Sequence, residues 1–356
     1  MNKIFLRLPI RDQILFAKRL SVLVKAGVPI LTGLQMLNKQ NTSRSIKHIL
    51  KSVITDVENG SFLSSSLRKF EKVFGELAVN IIEIGEISGT LPENLNYLAE
   101  ELKKKQALRR KVVGAMIYPG IIIVATLGIT VLLTAFVFPK ILPIFKSVNF
   151  DLPLSTKALI WISDLFVFHG LAIGLTLLGA IIGFWLLLKT KYVRLWYDRA
   201  LISVPILGTL LQSYHMANIC RTLGVLLKSE IMIVKAASIA ANSSTNAAYK
   251  RELNQMAVAL TRGEKMSTHM EKNVRLFPPI LSQMVTVGES TGNLSDTMLF
   301  LAEMYEGEVD EQTKNLSTVI EPVLMVFMGI IVGFVAISII TPIYEITQHL
   351  NPTPVH

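Results

Sequence analysis

The sequence predicts an all-α membrane protein with two homologous cytoplasmic helical bundles of about six helices each and three transmembrane helices. The first observation is composition: 51% of the 356 residues are hydrophobic, more than in an ordinary soluble domain. The second is a set of three long apolar segments. The third is a motif that occurs twice, as GEISGTLPENLNYLAEEL at 85–102 and as GESTGNLSDTMLFLAEMY at 288–305.

The apolar segments predict transmembrane helices at 116–139, 171–188 and 318–342. A bilayer core requires roughly 20 consecutive apolar residues in a helix, and the first two segments carry no charged residue. The third carries only Glu321, near its start. Buried helices of a soluble protein rarely run so far without a polar face, so membrane spans are the favoured interpretation.

Basic residues near the ends of the spans predict the orientation, because Lys and Arg are enriched on the cytoplasmic side. Residues 140–170 and 343–356 contain few basic residues or none, so they are predicted to be an extracytoplasmic loop and tail. Residues 1–115 and 189–317 become cytoplasmic domains 1 and 2, with the N-terminus inside and the C-terminus outside the inner membrane. The basic residues that flank the first span are Lys103, Lys104, Lys105, Arg109, Arg110 and Lys111.

The two copies of the motif belong to a longer repeat without gaps. Gly85 and Gly288 are 203 positions apart, and the same offset aligns Gly60 with Gly263 and Pro119 with Pro322. Each copy therefore consists of one cytoplasmic domain and the membrane helix that follows it, and the copies are called repeat 1 and repeat 2. The period is too long for a solenoid, so the chain contains a duplicated domain.

Within repeat 1, helical periodicity and turn residues predict six helices in order. Gly27 fits the position after the first helix, and Pro29 fits the first turn of the second. Ser43 or Ser45 caps the third helix, which Asn59 and Gly60 end. No segment alternates as a strand does. The predicted helices lie at 10–26, at 30–40, from 43 or 45 to 59, at 62–69, at 76–87 and from 91 toward the membrane.

The motif lies at the joint between the last two of these helices. Gly89 and Gly292 are placed to adopt a positive φ or to allow two backbones to approach closely. Glu86 and Glu289 can cap the next helix or contact a basic partner. The motif, with Gly85 and Gly288, is therefore either a tight helix–helix turn or a partner-binding site, and both readings stay open.

Two prolines mark the membrane helices that end the repeats. Pro119 and Pro322 are expected to bend their helices or to start them. Glu321 precedes the second proline, where its carboxylate either reaches interfacial water or makes a functional contact within the membrane. These three residues are the candidate intramembrane contacts.

Charge and motifs narrow the function classes. Residues 1–115 contain 19 Lys and Arg against 10 Asp and Glu, whereas residues 189–317 contain 14 against 12. The basic excess fits attraction to anionic lipid, with docking of an acidic motor surface as a further possibility. Nucleic-acid binding is disfavoured because no recognition motif is present. No phosphate-binding loop, catalytic constellation or metal-ligand spacing occurs, so no catalytic residue, cofactor or metal is predicted.

Several stretches resemble the inner-membrane platform proteins of type II secretion systems, type IV pilus machines and related competence pili. They are GEISGTLPENLNYLA, LVKAGVPILTGLQML, NGSFLSSSLRK and VPILGTLLQSYHMANICRTLGVLL. The resemblance implies a non-enzymatic, homo-oligomeric protein that binds a cytoplasmic motor ATPase and other inner-membrane components. It also implies transfer of the motor's movement to pilin-like or pseudopilin subunits. A membrane transporter or channel built from a same-direction repeat is the alternative.

The sequence departs from the family pattern at one turn. Gly27 and Pro29 of repeat 1 become Glu230 and Met232 in repeat 2, within SEIMIV. The turn in repeat 2 is therefore expected either to be built differently or to make a different contact. Many family members also carry a longer leading segment, whereas the first domain here is expected to begin near Pro9.

Overall fold

The computed structural model describes residues 8–41, 43–146, 153–205 and 207–350. Throughout these ranges the regular secondary structure is helical and no strand occurs, so the predicted all-α class is confirmed. The helices of repeat 1 are α1 (Ile10–Lys25), α2 (Ile30–Gln40), α3 (Arg44–Glu58), α4 (Leu63–Arg68), α5 (Glu71–Phe74), α6 (Glu76–Ser88) and α7 (Leu91–Leu132).

A π-helical turn (Leu133–Val137) leads from α7 into the remaining helices. These are α8 (Phe138–Lys146), α9 (Leu154–Leu187), α10 (Lys191–Ser203), α11 (Leu207–Lys228), α12 (Ile233–Ser243), α13 (Ala247–Thr261), α14 (Met266–Glu271), α15 (Pro279–Thr291) and α16 (Leu294–Leu350). Repeat 1 contains the short helix α5 in addition to the predicted six, so the predicted sixth helix is α7.

The chain forms two compact units, and both helical bundles belong to the first. This unit comprises Met1–Val112 and Leu195–Gln312, and the second comprises Val113–Arg194 and Thr313–His356. In the first unit, amphipathic helices bury their apolar faces around Leu20, Leu50 and Ile82, each fully buried. Fully burying such a side chain contributes about 1.5–3 kcal/mol relative to leaving it exposed.

The second unit contains the apolar helices. Three described helical stretches are long and apolar enough to cross a membrane: Leu91–Ile141, Phe168–Leu187 and Leu294–Thr341. Most of their apolar side chains are exposed, as lipid-facing side chains must be. The prediction of three transmembrane helices is confirmed.

The predicted extracytoplasmic loop and tail contain more helix than the sequence indicated. Part of 140–170 is helical, because α8 continues to Lys146 and α9 already begins at Leu154. Of the predicted tail 343–356, residues up to Leu350 belong to α16. Residues 147–152 and 351–356 of these predictions lie outside the described residues.

Buried hydroxyl groups join the helices of the second unit. The Ser163 hydroxyl donates to the Thr134 carbonyl within the π-helical turn, at 2.9 Å. The Thr156 hydroxyl donates to the Ser338 carbonyl, also at 2.9 Å. A π-helical turn disrupts regular backbone pairing, so a neighbouring hydroxyl satisfies a carbonyl that would otherwise stay unpaired in an apolar environment.

Of the two alternatives for Pro119 and Pro322, a bend or the start of a helix, the second is wrong, and a bend stays a prediction. Both residues lie inside continuous helices, α7 and α16. Proline removes one backbone hydrogen bond but does not prevent a helix from continuing, and prolines are tolerated in membrane helices for this reason.

The turn after α11 is built in the same way as the turn after α1, so the expectation of a different construction is wrong. Gly27 has a φ of 81° and Glu230 has a φ of 61°, both in the left-handed region. The amides of Val28 and Ile231 donate to the carbonyls of Leu23 and Leu226 at equivalent positions. A side chain in this conformation costs about 1–2 kcal/mol, which the rest of repeat 2 must offset.

Candidate functional site at the repeated motif and the joint between repeats

The motif glycines perform two different tasks in each repeat. Gly89 and Gly292 end α6 and α15 with φ values of 74° and 71°, where a Cβ atom would be strained. Gly85 and Gly288 instead allow close packing of helices. A Cβ atom on Gly85 would lie 2.9 Å from the Cα atom of Leu91, and one on Gly288 would lie 2.9 Å from a Thr297 oxygen.

The motif carboxylates cap a helix that precedes them in the chain. Glu86 accepts hydrogen bonds from the amides of Leu63 and Ser64, at 2.6 and 2.7 Å, at the start of α4. Glu289 accepts from the amides of Met266 and Ser267, at 2.6 and 3.3 Å, at the start of α14. The first amides of a helix have no partner within it, and a carboxylate there also meets the positive end of the helix dipole.

This arrangement differs from both sequence alternatives for Glu86 and Glu289, a cap on the next helix or a contact with a basic partner. Each carboxylate reaches back 22 or 23 residues, and such a contact leaves no local sequence signature. The motif thus fixes three helices at once: α6 ends, α7 starts close to it, and α4 is held by Glu86. The geometry accounts for the motif as a structural unit in both repeats.

The two repeats meet in a joint centred on a buried arginine. Arg221 of α11 lies 3.3 Å from the Glu101 carboxylate of α7 and 2.7 Å from the Glu306 carboxylate of α16. The exposed fractions of the Arg221 and Glu101 side chains are only 8% and 6%. Burial lowers the pKa of Arg221, but the hydrogen bond to Glu306 and the charge of Glu101 outweigh burial and raise it.

Further polar contacts link the helices of the two repeats. The Lys111 amine lies 2.6 Å from the Asp310 carboxylate, which links α7 to α16. The Asn242 side-chain amide donates to the Glu76 carboxylate at 3.0 Å, which links α12 to α6. The joint therefore ties together the two helices that continue into the membrane spans.

The six predicted membrane-flanking basic residues differ in their surroundings. Lys103, Lys104 and Lys111 pair with acids, Lys103 with Glu100 at 3.9 Å and Lys104 with Glu101 at 3.7 Å. Lys105 is half-buried beside α11, and this burial lowers the pKa of its amine. Lys103, Arg109 and Arg110 remain exposed, so a role in contacting lipid stays a prediction for these three.

A cleft opens beside the motif between the repeats. Its walls include Tyr97 and Glu93 from repeat 1 and Lys228 and Glu230 from repeat 2. The Tyr97 hydroxyl is buried, and no hydrogen-bond partner for it occurs among the described residues. Burial, and then the charge of Glu101, raise the pKa of Tyr97 to about 12. The altered turn at Glu230 thus lines this cleft, and a different contact there stays a prediction.

The candidate intramembrane residues lie apart from this joint along the chain. Glu321 and Pro322 are exposed on α16, whereas Pro119 is buried on α7. No described side chain pairs with the Glu321 carboxylate. Its predicted contact with a partner therefore stays a prediction.

Sequence reasoning missed Arg221, the centre of the joint. A signal was present, because Arg221 is a single charge within ICRTLGVLL, where repeat 1 has Lys18 at the equivalent position. Across the described part of the chain, no group of three His, Cys, Asp or Glu side chains is arranged to hold a metal ion.

Known proteins are similar to this chain over both of its repeats. The family model described as type II secretion system protein F matches residues 16–139 and 219–342, so it matches both repeats. The chain is 33% identical over 342 residues to a type IV pilus assembly protein PilC from Thermus thermophilus, covering 96% of this chain and 84% of that protein.

Two further relatives come from both kinds of machine. The chain is 31% identical over 338 residues to a type II secretion system protein F from Pseudomonas aeruginosa, covering 95% of this chain and 83% of the relative. It is 29% identical over 350 residues to a type IV pilus assembly protein TapC from Aeromonas hydrophila, covering 94% and 81%. Similarity therefore extends over both repeats and the spans.

The first prediction concerns the motif carboxylates. Glu86→Gln and Glu289→Gln should each lower the free energy of unfolding by about 1–3 kcal/mol, because hydrogen bonds to a charged group are lost and an amide group faces a backbone donor. Glu83→Gln is the control, since its pair with Arg68 is partly exposed. Chemical unfolding of the full chain in detergent measures the effect, and equal losses for Glu83→Gln and Glu86→Gln would contradict the capping role.

The second prediction concerns the joint. Arg221→Met should cost about 3–5 kcal/mol, because the buried Glu101 carboxylate loses its counter-charge. Adding Glu101→Gln to Arg221→Met should recover part of this loss. Lys18→Met, at the equivalent position in repeat 1, should cost at most about 1 kcal/mol, since its pair with Glu100 is exposed. A loss for Arg221→Met no greater than for Lys18→Met would show that the buried pair does not stabilise the joint.

Proposed function

Because the chain belongs to the type II secretion system protein F family, we propose that it is the non-enzymatic inner-membrane platform of a type IV pilus or type II secretion machine. In this role it couples a cytoplasmic motor ATPase to the assembly of pilin-like or pseudopilin subunits into a filament. The relatives named as type IV pilus assembly proteins and as type II secretion system protein F support a place in such a machine.

One observation carries the proposal: each bundle ends in a helix that continues without a break into an apolar span. The helix α7 has 42 residues, and α16 has 57. At 1.5 Å per residue, α7 alone is about 63 Å long. Because no flexible linker separates bundle from span, a rotation or tilt of the bundle is carried into the membrane helix.

The joint between the repeats couples α7 and α16, the two helices that run from a bundle into a membrane span. The ion pairs of Arg221 with Glu101 and Glu306 hold α11 against both α7 and α16. A force that the motor applies to one bundle is therefore shared with the other. In this proposal the parts of α7 and α16 that meet at the joint move together, and the filament subunits respond in the membrane.

The charge distribution supports the proposed orientation. The basic residues that flank the first span favour a cytoplasmic location for both bundles, with the C-terminus outside. Exposed Lys103, Arg109 and Arg110 are placed to contact anionic lipid headgroups. The sequence contains no phosphate-binding loop motif, so a separate ATPase supplies the energy.

The third prediction tests contact with the motor. The full chain in detergent or nanodiscs should co-purify with the motor ATPase encoded in the same organism's pilus or secretion machine, and not with an unrelated soluble ATPase. Protease added to sealed, right-side-out membrane vesicles should leave both bundles intact, and should cut them only after the vesicles are opened. Cleavage of the bundles in intact vesicles would overturn the proposed role, because a cytoplasmic motor could not reach them.

The fourth prediction concerns Glu321. Its exposed carboxylate on α16 is proposed to receive the N-terminal amine of a pilin-like subunit or a basic group on a neighbouring copy. Glu321→Gln should then reduce filament assembly severalfold at unchanged protein level, as counted by electron microscopy of surface filaments. Glu311→Gln, an exposed acid earlier on the same helix, is the matched control. Normal filament numbers with Glu321→Gln would reject this contact.

A further inference from the structure

The joint within one chain joins two different surfaces. Repeat 1 contributes one face of α6 and α7, with Leu77, Ile84, Tyr97 and Glu101, and this face is called the A surface. Repeat 2 contributes one face of α11, with Asn218, Arg221, Thr222 and Val225, and this face is called the B surface. A joint between unlike surfaces is heterologous, so it leaves one surface of each kind unused.

Repeat 1 and repeat 2 each have an A surface and a B surface. The offset of 203 residues places the A surface of repeat 2 on α15 and α16 and the B surface of repeat 1 on α1. The A surface of repeat 2 consists of Ile280, Val287, Phe300 and Met304, and the B surface of repeat 1 consists of Leu15, Lys18, Arg19 and Val22. Neither surface takes part in the joint between the repeats.

These two unused surfaces keep the apolar character of the joint but are exposed. Val225 is fully buried in the joint, whereas its equivalent Val22 is 57% exposed. On the other surface, Ile280, Val287 and Phe300 are 46%, 52% and 56% exposed. Their equivalents in the joint, Leu77, Ile84 and Tyr97, are all partly buried.

The apolar contact is flanked by opposite charges in the joint. Tyr97 is followed by Glu101 one helical turn later and preceded by Glu93, while Val225 is preceded by Arg221 and followed by Lys228. Residues three and four apart lie on one helix face, so an acidic A surface meets a basic B surface. The ion pair between Glu101 of the A surface and Arg221 of the B surface is an example of this pairing.

The unused surfaces carry a similar pattern. Phe300 lies between the exposed acids Asp296 and Glu303, and Val22 lies between the exposed bases Lys18 and Lys25. Asp296 lies 3.7 Å from Lys228, and Lys18 lies 3.2 Å from Glu100, but all four side chains stay largely exposed. Each chain thus has an acidic A surface and a basic B surface, each with an exposed apolar centre. Such complementary charge favours docking and selects its partner.

We propose that the A surface of repeat 2 in one chain docks on the B surface of repeat 1 in a second copy, repeating between chains the joint found within each chain. This inference rests on the proposed function and deepens the self-association that the family resemblance implies. Burying the exposed apolar side chains removes them from water and so stabilises the contact. A heterologous contact continues from copy to copy, so the assembly closes as a ring if the rotation permits.

The fifth prediction tests the contact by reciprocal charge changes. Val22→Glu places an acid against the acidic A surface, and Phe300→Arg places a base against the basic B surface. Each should reduce the mass of the full-length protein in detergent toward that of the single chain. The double variant Val22→Glu/Phe300→Arg should regain the larger assembly in part, because the new charges face each other across the contact.

The control for these changes is Val258→Glu. Val258 is 52% exposed, and its equivalent in repeat 1, Thr55, is exposed as well, so this position belongs to neither surface. Its assembly mass should be unchanged. Equal loss of assembly in Val258→Glu, or no loss in either single surface variant, would overturn the proposal.

Cross-linking tests the direction of the contact. Leu77 and Val225 line one cavity in the joint, so their equivalents Ile280 and Val22 should be neighbours between chains. A chain with Val22→Cys and a differently tagged chain with Ile280→Cys should form a mixed adduct with a short bismaleimide, and neither should form an adduct with itself. The native Cys220 does not interfere, because burial raises the pKa of its thiol to about 12.

Other occupants of the surfaces give different outcomes. Adducts of Val22→Cys with itself would indicate a symmetric contact and would overturn the proposal. Adducts with the motor ATPase instead of a second copy, or loss of motor co-purification in Val22→Glu and Phe300→Arg, would assign these surfaces to the motor. Intact motor co-purification with reduced assembly mass is the expected result, and it separates this inference from the proposed function.

Discussion

The arrangement of the two bundles depends on one guanidinium group that is buried between carboxylates from different repeats. A buried charge costs several kcal/mol unless it is paired, so Arg221 requires both Glu101 and Glu306 close by. Those acids lie on α7 and α16, the helices that continue into membrane spans. The need to pair the charge of Arg221 therefore brings α11 together with α7 and α16.

The pairing of Arg221 with Glu101 has no counterpart from repeat 1 to repeat 2, because the duplicated repeats have diverged at these positions. Both repeats keep the glycine and glutamate motif, because each bundle needs its own helix end, its close approach at Gly85 or Gly288 and its cap by Glu86 or Glu289. The positions around the joint have diverged instead: Lys18 is exposed where Arg221 is buried. Shared residues thus maintain each bundle, and divergent residues decide how bundles join.

The joint between the repeats leaves the A surface of repeat 2 and the B surface of repeat 1 without a partner surface in the same chain. An interface between unlike surfaces satisfies one A surface and one B surface per chain and exposes the others. Apolar centres such as Val22 and Phe300 leave more than half of their side chains exposed. The proposed contact between copies would cover these unmatched surfaces.

The sequence by itself determined the features that depend on local backbone and on water or lipid. The apolar segments, the repeat, the helical periodicity and the left-handed ends at Gly89 and Gly292 all follow from neighbouring residues. Only the tertiary structure decided that Glu86 caps the earlier helix α4, that Glu230 keeps the left-handed turn of Gly27, and that Arg221 pairs across the joint. These outcomes depend on contacts between residues far apart in the chain, whose energies outweigh local preference and leave no trace in spacing.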